Sequence, residues 1–315
     1  MSDNQTIGVL LMAYGSPDTP DDIEPYYTHI RHGRAPSAEL LEELRARYRL
    51  VGGRTPLSDI SEATRALLEQ RLNAESTNRY RVILGMKHWH PYIEQAVAEM
   101  AHEGIRHAVG LILAPHYSSR SVAEYYGYVE EAQRKLGTSI VLERIDQWHL
   151  FPPFLHAVRS RIEAQLEQFP AGADVTVVFT AHSVPEKILE GGDPYPDQLL
   201  ETSQALVEMT GIERWTFSYQ SAGRTPDPWL GPDLVETVHR LAHEGVRHIL
   251  VASIGFVSDH LEILYDIDYE AQAAAREAGI TLRRTEMLNA SPDFVEGLVA
   301  LVRERVGDVE DAIPT

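Results

Sequence analysis

AHEGIRH, residues 101–107, ends an amphipathic pattern and leads into an aliphatic run, and AHEGVRH, residues 242–248, does the same later in the chain. In each copy a glycine, Gly104 or Gly245, stands where a helix must stop in a left-handed turn before a strand begins. Working outward, VLLMAYGSP (9–17) is echoed by VVFTAHSVP (177–185), in the same order relative to the first repeat. Two echoes in one order imply a duplicated unit. Short aliphatic runs at 7–13, 81–85, 108–114, 139–143, 175–180, 215–219, 248–254 and 281–284 predict strands. Amphipathic stretches at 91–102, 122–136, 154–168, 234–243 and 292–306 predict helices between them. This alternation builds βαβ units and parallel sheets. Near-continuous apolar strands such as 9–12 and 177–179 need cover on both faces. The expected fold is α/β: two similar Rossmann-like, doubly wound halves with a cleft between them, meeting near 147–154. The first half takes residues 1–150. The second takes 151–315, with its last helix able to pack back on the first.

The second echo aligns Tyr14 with His182, each at the carboxyl end of a strand, the edge where open α/β sheets bind ligands. The expectation is that both face one cleft.

Composition narrows the chemistry. The 315 residues are 43% hydrophobic and 24% charged, carry a net charge of −19 and include no cysteine. Disulfides, thiol nucleophiles, zinc–thiolate sites and cysteine-ligated iron–sulfur clusters are excluded. The acidic surface argues against nucleic acid as a partner. No apolar run approaches the roughly 20 residues that span a bilayer, and the first residues lack a signal-peptide pattern, so a cytoplasmic protein is expected. There is no Walker-type Gly-Lys-Ser/Thr, no G-x-G-x-x-G after a strand and no G-x-S-x-G elbow.

Three carboxylates, Glu262, Asp266 and Glu270, fall four apart after the predicted strand 248–254. On a helix they would stack on one face and repel unless a cation visits them. A solvated helix face is the alternative. The neighbours Leu261, Ile263, Leu264, Tyr265, Ile267 and Tyr269 leave little room for one, and carboxylates in apolar surroundings suit a divalent ion. His182 is either structural or a group that binds metal or accepts a proton near neutrality. His88 and His90, flanking Trp89, carry a weaker signal, and His107, His243 and His248 read as structural. Between 31 and 54, six arginines against three glutamates leave a net charge of +3 on a strongly acidic chain. Such a patch is a solvated helix face or a site for carboxylates or phosphates, which guanidinium grips bidentately.

Eight stretches carry a resemblance to one family over essentially the whole chain. They are LLMAYGSP (10–17), YYTHIRHGR (26–34), GGRTPL (52–57), GMKHWHPYIEQAVAEM (85–100), LAPHYSSRSV (113–122), TAHSVPEKILEGGDPYPDQL (180–199), YQSAGRTPDPWLGPD (219–233) and GFVSDHLEILYDIDYE (255–270). The chain resembles the ferrochelatases, and within them the bacterial coproporphyrin III ferrochelatases. The resemblance implies a chelatase-type fold and insertion of Fe2+ into coproporphyrin III to give coproheme. It implies that His182 and Glu262 flank the porphyrin centre and handle metal and pyrrole protons, with Tyr14 on the opposite porphyrin face. Asp266 and Glu270 match an acidic line that holds or shuttles cations. Arg31, Arg47, Tyr48, Thr55 and Tyr125, most of them in a porphyrin-contacting segment at 20–60, match propionate contacts. At Thr55 the relatives carry serine, which keeps the hydroxyl.

The implied partners are coproporphyrin III, Fe2+ and a downstream haem-pathway enzyme that takes the product. No cofactor beyond Fe2+ and no iron–sulfur cluster is expected, and the expected state is a monomer. Membrane-associated protoporphyrin ferrochelatases resemble one another in an apolar lip near 38–50. Here that stretch reads AELLEELRARYRL, which favours the tetra-anionic substrate. A protoporphyrin IX ferrochelatase and a non-catalytic haem or metal carrier are the alternatives.

Overall fold

A computed structural model describes residues 6–310 except 75, 77 and 224, with side chains to 306. Four parallel strands form one sheet: β1 (Thr6–Ala13), β2 (Arg79–Met86), β3 (His107–Ile112) and β4 (Val141–Ile145), in the order β2-β1-β3-β4. Four more form a second: β5 (Val175–His182), β6 (Trp215–Gln220), β7 (His248–Ser253) and β8 (Thr281–Arg284), in the order β6-β5-β7-β8. The first strand of each set lies second in its sheet, so the topology is duplicated strand for strand. Each set is a Rossmann-like α/β unit, as expected.

The two sequence repeats close identically. After the helix Ile93–His102, the amides of Gly104 and Ile105 donate to the carbonyls of Ala101 and Met100, at 3.2 and 3.0 Å. After Leu234–His243, the amides of Gly245 and Val246 donate to Ala242 and Leu241, at 3.1 and 3.0 Å. Both glycines hold positive φ, +72° and +92°, the left-handed stop of a Schellman turn. A side chain there would strain the turn that launches β3 or β7.

By contact, the described residues form two compact units. One gathers those of Met1–Ala114, Ser121–Trp148 and Asn289–Thr315, the other Pro115–Arg120 and His149–Leu288. In the first, the helix Pro292–Glu310 packs on Leu57–Ala74, β3 and β4. In the second, Asp193 fastens the Pro115–Arg120 segment, accepting from the Ser119 amide and hydroxyl at 2.7 and 2.6 Å. Most predicted elements fall within a residue or two of those observed. The strand expected at 139–143 begins later, at Val141. Thr138 and Ile140 donate to the Gln133 backbone and side chain, which keeps them in the preceding turn. Among the described residues, no helix is long and apolar enough to cross a membrane.

Two features of the second unit seat the segment that carries Glu262, Asp266 and Glu270. Ile263 and Ile267 are fully buried with Val178 and Val251, which seats the carboxylate-bearing segment on β5 and β7. Gly255, just past β7, lies against β5: a Cβ there would meet Ala181 Cβ at 2.4 Å and Cα at 2.8 Å. Because the atoms met are the Cβ and backbone of Ala181 on a buried strand, the clash cannot be relieved by a flexible side chain. Gly255→Ala is therefore expected to destabilise the fold by about 1–3 kcal/mol, read from the urea midpoint. An unchanged midpoint would mean that this approach is looser than the geometry states.

Candidate active site

His182 ends β5, paired with Gln220 at the end of β6. Its carbonyl accepts from the Tyr195 hydroxyl at 3.0 Å. Its ring Nδ1 donates to the Ser183 carbonyl, which leaves Nε2 to face Glu262 Oε1 at 3.5 Å. Glu262 sits on a single helical turn, Leu261–Leu264. Gln220 ties that turn to the sheet. Its amide nitrogen donates to the Glu262 carbonyl at 2.8 Å, while its oxygen accepts from the Thr180 hydroxyl at 2.9 Å.

A second imidazole completes the group. His260 Nδ1 donates to the Ser258 carbonyl at 2.9 Å, and its Nε2 lies 3.5 Å from Glu262 Oε2. Each Glu262 oxygen therefore faces one histidine Nε2, and each ring is oriented by a backbone carbonyl. The sequence reading missed His260 and Gln220. His260 stands two residues before Glu262 within a quoted motif, but only the fold brings Gln220 to it.

The regular helix expected beneath the three carboxylates is not what forms. After one α-turn, Asp266–Ala271 is π-helical, and both Tyr269 and Glu270 donate their amides to the Tyr265 carbonyl, at 3.1 and 2.9 Å. Such wide turns are rare and recur at functional sites. Asp266 is buried and accepts from the Ser221 hydroxyl, while Glu270 is half-buried. Among the described residues, no three histidine or carboxylate side chains converge closely enough to hold a metal ion unaided.

The charges of this group are coupled. Burial opposes a proton on His182, but the facing Glu262 carboxylate, the Ser183 carbonyl and Asp266 outweigh it and raise the imidazole to about 9. Burial works against ionised Glu262 too, and His182 and His260 hold it well below the usual carboxylate range. The resting pair at neutral pH is imidazolium and carboxylate. The neutral imidazole that the sequence reading assumed for proton uptake appears only after this proton leaves.

In the first unit, Tyr14 follows β1 and is 41% exposed, its ring edge-on to His88 at 4.7 Å. His88 is buried, and burial, then Lys87, His29 and His32, press its pKa down to about 3. Its Nδ1 lies 3.1 Å from His29 Nδ1, so one neutral ring donates to the other. Lys87, also buried, reaches Glu124 at 2.7 Å and lies over the Tyr125 ring at 5.1 Å. Tyr48, Thr55 and Tyr125 are buried. The Tyr48 and Thr55 hydroxyls meet on Ser16, at 3.4 and 2.7 Å, and burial pushes the Tyr125 phenol well up.

The arginine patch is largely neutralised from within. Arg45 pairs with Glu24 at 3.4 Å, Arg47 with Glu43 at 3.1 Å, Arg49 with Glu42 at 2.7 Å, and Arg54 with Asp59. Arg31 makes no ion pair among the described residues. Its guanidinium lies over the Tyr27 ring at 5.8 Å and its Nε is buried.

The family model described as Ferrochelatase matches residues 6–306. The chain belongs to the ferrochelatase family. A member from Geobacillus kaustophilus named coproporphyrin III ferrochelatase is 43% identical over 98% of both chains. One of the same name from Bacillus subtilis is 41% identical, over 96% of this chain and 98% of the relative. A protein from Herpetosiphon aurantiacus named simply ferrochelatase is 46% identical, over 93% of this chain and 97% of its own length. Among solved structures, SirB from Bacillus subtilis with Fe3+ matches with a TM-score of 0.61 at 12% identity, covering 98% of each chain. At that identity the likeness speaks for the chelatase fold.

In this chain the raised His182 pKa carries a pH signature. The ion pair stabilises the fold fully below the unfolded histidine value, about 6.5, and is lost as pH rises through about 9. The stability gap between wild type and Glu262→Gln, measured by urea unfolding, should therefore shrink steadily from pH 6.5 to 9. A gap that is flat across that window would show that Glu262 does not hold the proton on His182.

Proposed function

We propose that this chain inserts Fe2+ into coproporphyrin III, forming coproheme in the cytoplasm for a downstream haem-pathway enzyme. The observation that carries the reading is the pairing of His182 with Glu262 at the carboxyl end of β5, 3.5 Å apart and buffered by His260. The full-length likeness to relatives named for coproporphyrin III supports the choice of porphyrin. The reading needs no cofactor beyond the substrate metal and no second copy of the chain.

Metallation releases two protons, because each of two pyrrole N–H groups gives way to an iron–nitrogen bond. A site for it must offer transient ligands to Fe2+ and somewhere for those protons to go. Imidazole and carboxylate bind Fe2+ without the permanence of thiolate. Fe2+ approaching the pair favours loss of the His182 proton, since the cation replaces the imidazolium as partner of Glu262. With that proton passed to water, the freed Nε2 and the carboxylate hold the ion, and as the ring nitrogens take it the two pyrrole protons they lose pass to these same two groups. Asp266 and Glu270 extend the line of oxygen ligands through which a hard or borderline cation travels. Tyr14 packs against the macrocycle, and Arg31, Arg47, Tyr48, Thr55 and Tyr125 form the propionate side.

Anaerobic Fe2+ insertion assayed beside protoporphyrin IX tests the substrate: coproporphyrin III should be metallated faster, and the reverse order would overturn the assignment. His182→Ala should slow insertion by roughly 100-fold or more while porphyrin still binds. A carrier would shift the Soret band of bound porphyrin yet never consume more than one equivalent.

The arginines should separate. Arg31, without an ion pair among the described residues, should contribute one charge-assisted contact of about 1.5–3 kcal/mol, so Arg31→Ala should raise the coproporphyrin KM about tenfold or more with a smaller change in kcat. Arg47→Ala should cost less, because Glu43 already shares its guanidinium. Equal and negligible effects would make the patch a solvated helix face.

A further inference from the structure

Arg284, the last residue of β8, holds both ends of the segment that bears the candidate metal-handling residues. Its Nε and Nη2 donate to the two oxygens of Asp268 at 2.7 and 2.9 Å, a bidentate fork. Nη2 also reaches Asp259 Oδ1 at 3.0 Å, and Nη1 donates to the Thr285 carbonyl at 3.1 Å. Asp259 immediately precedes His260, and Asp268 lies in the π-turn two residues after Asp266. One guanidinium, 18% exposed, thus spans the stretch containing His260, Glu262 and Asp266.

That stretch needs such a clamp. It has one α-turn and one π-turn where a continuous helix would have set its own geometry. Its apolar side is seated by Ile263 and Ile267, but apolar burial is non-directional and does not fix where a carboxylate points. Its polar side carries Asp259, Glu262, Asp266, Asp268 and Glu270, whose like charges repel one another. Arg284 supplies the opposing charge, and the planar fork sets distance and angle together, which an ammonium cannot do.

We propose that Arg284 is a positioning residue for metal insertion: by clamping Asp259 and Asp268 to β8, it fixes Glu262 and His260 relative to His182. The inference rests on the reading that the His182–Glu262 pair receives the metal. Outer residues that orient ligands in this way typically change metal affinity 10–100-fold when altered.

The test compares wild type with Arg284→Lys, Arg284→Ala and Asp268→Asn in the full chain, below the melting point of each. Calorimetry with Zn2+ alone, without porphyrin, should show binding weakened about tenfold or more in the arginine variants. Zn2+ and Fe2+ insertion should lose kcat over metal KM to the same degree, with the porphyrin KM within about twofold. Millimolar guanidinium should partly restore Arg284→Ala and leave wild type unchanged. Asp268→Asn, which keeps the arginine, should reproduce the pattern in milder form and covers the case in which Arg284→Ala does not fold.

Wild-type Zn2+ affinity in both arginine variants would overturn the inference. So would losses spread equally over metal and porphyrin parameters without guanidinium rescue. A crystal structure of Arg284→Lys separates the two levels. Glu262 unmoved from His182 overturns the positioning role, whereas a displaced Glu262 in a protein whose wild type inserts no metal overturns the proposed function and leaves the clamp standing.

Discussion

A parallel strand buried on both faces has nowhere to put polar chemistry except its ends. β1 and β5 are such strands: nearly every residue of each is out of water. Tyr14 and His182 stand at the first positions where β1 and β5 can leave that apolar layer. The chain doubles this constraint by using the same strand order twice, so each unit presents reactive groups at the carboxyl edge of its own sheet. Gly255 belongs to the same constraint, since a side chain there would displace the strand that delivers His182.

The electrostatics of the second unit follow from confinement. A lone carboxylate in Glu262's place would be driven towards its neutral form by burial. Two imidazoles, each turned by a backbone carbonyl so that Nε2 points inward, reverse that and keep Glu262 ionised. The result is a proton held on His182 beside a negative charge held on Glu262. Neither group alone would behave this way at neutral pH.

The first unit handles its cations differently. Most of the arginines between 31 and 54 are already matched to glutamates or an aspartate at the surface, where such pairs contribute little to stability and mainly restrict the side chains. Arg31 and Arg34 have no carboxylate partner among the described residues, and Arg31 is held over Tyr27. A patch that looks uniform in composition therefore separates into four guanidinium groups committed to carboxylates and two that are not.

Much of this was legible along the chain. The repeated AHEGIRH and AHEGVRH turns, the apolar runs of β1 and β5 and the echo of Tyr14 in His182 led to the duplicated α/β fold, because strand burial and helix termination are local demands that a sequence must meet in place. His182, Glu262 and Asp266 stood out by residue type, setting and family likeness. The π-turn at Asp266–Ala271 did not, since α- and π-turns share the same apolar pattern over so few residues. Nor did the roles of Gln220, His260 and Arg284, or the neutralisation of Arg45, Arg47 and Arg49. Gln220, Arg284 and Arg45 meet groups brought from distant parts of the chain, whereas Arg47 and Arg49 pair with glutamates of their own helix and His260 faces Glu262 two residues on. Sequence determined which strands are buried and where their reactive ends fall; only tertiary structure decided protonation and orientation there, because a charge answers to neighbours in space.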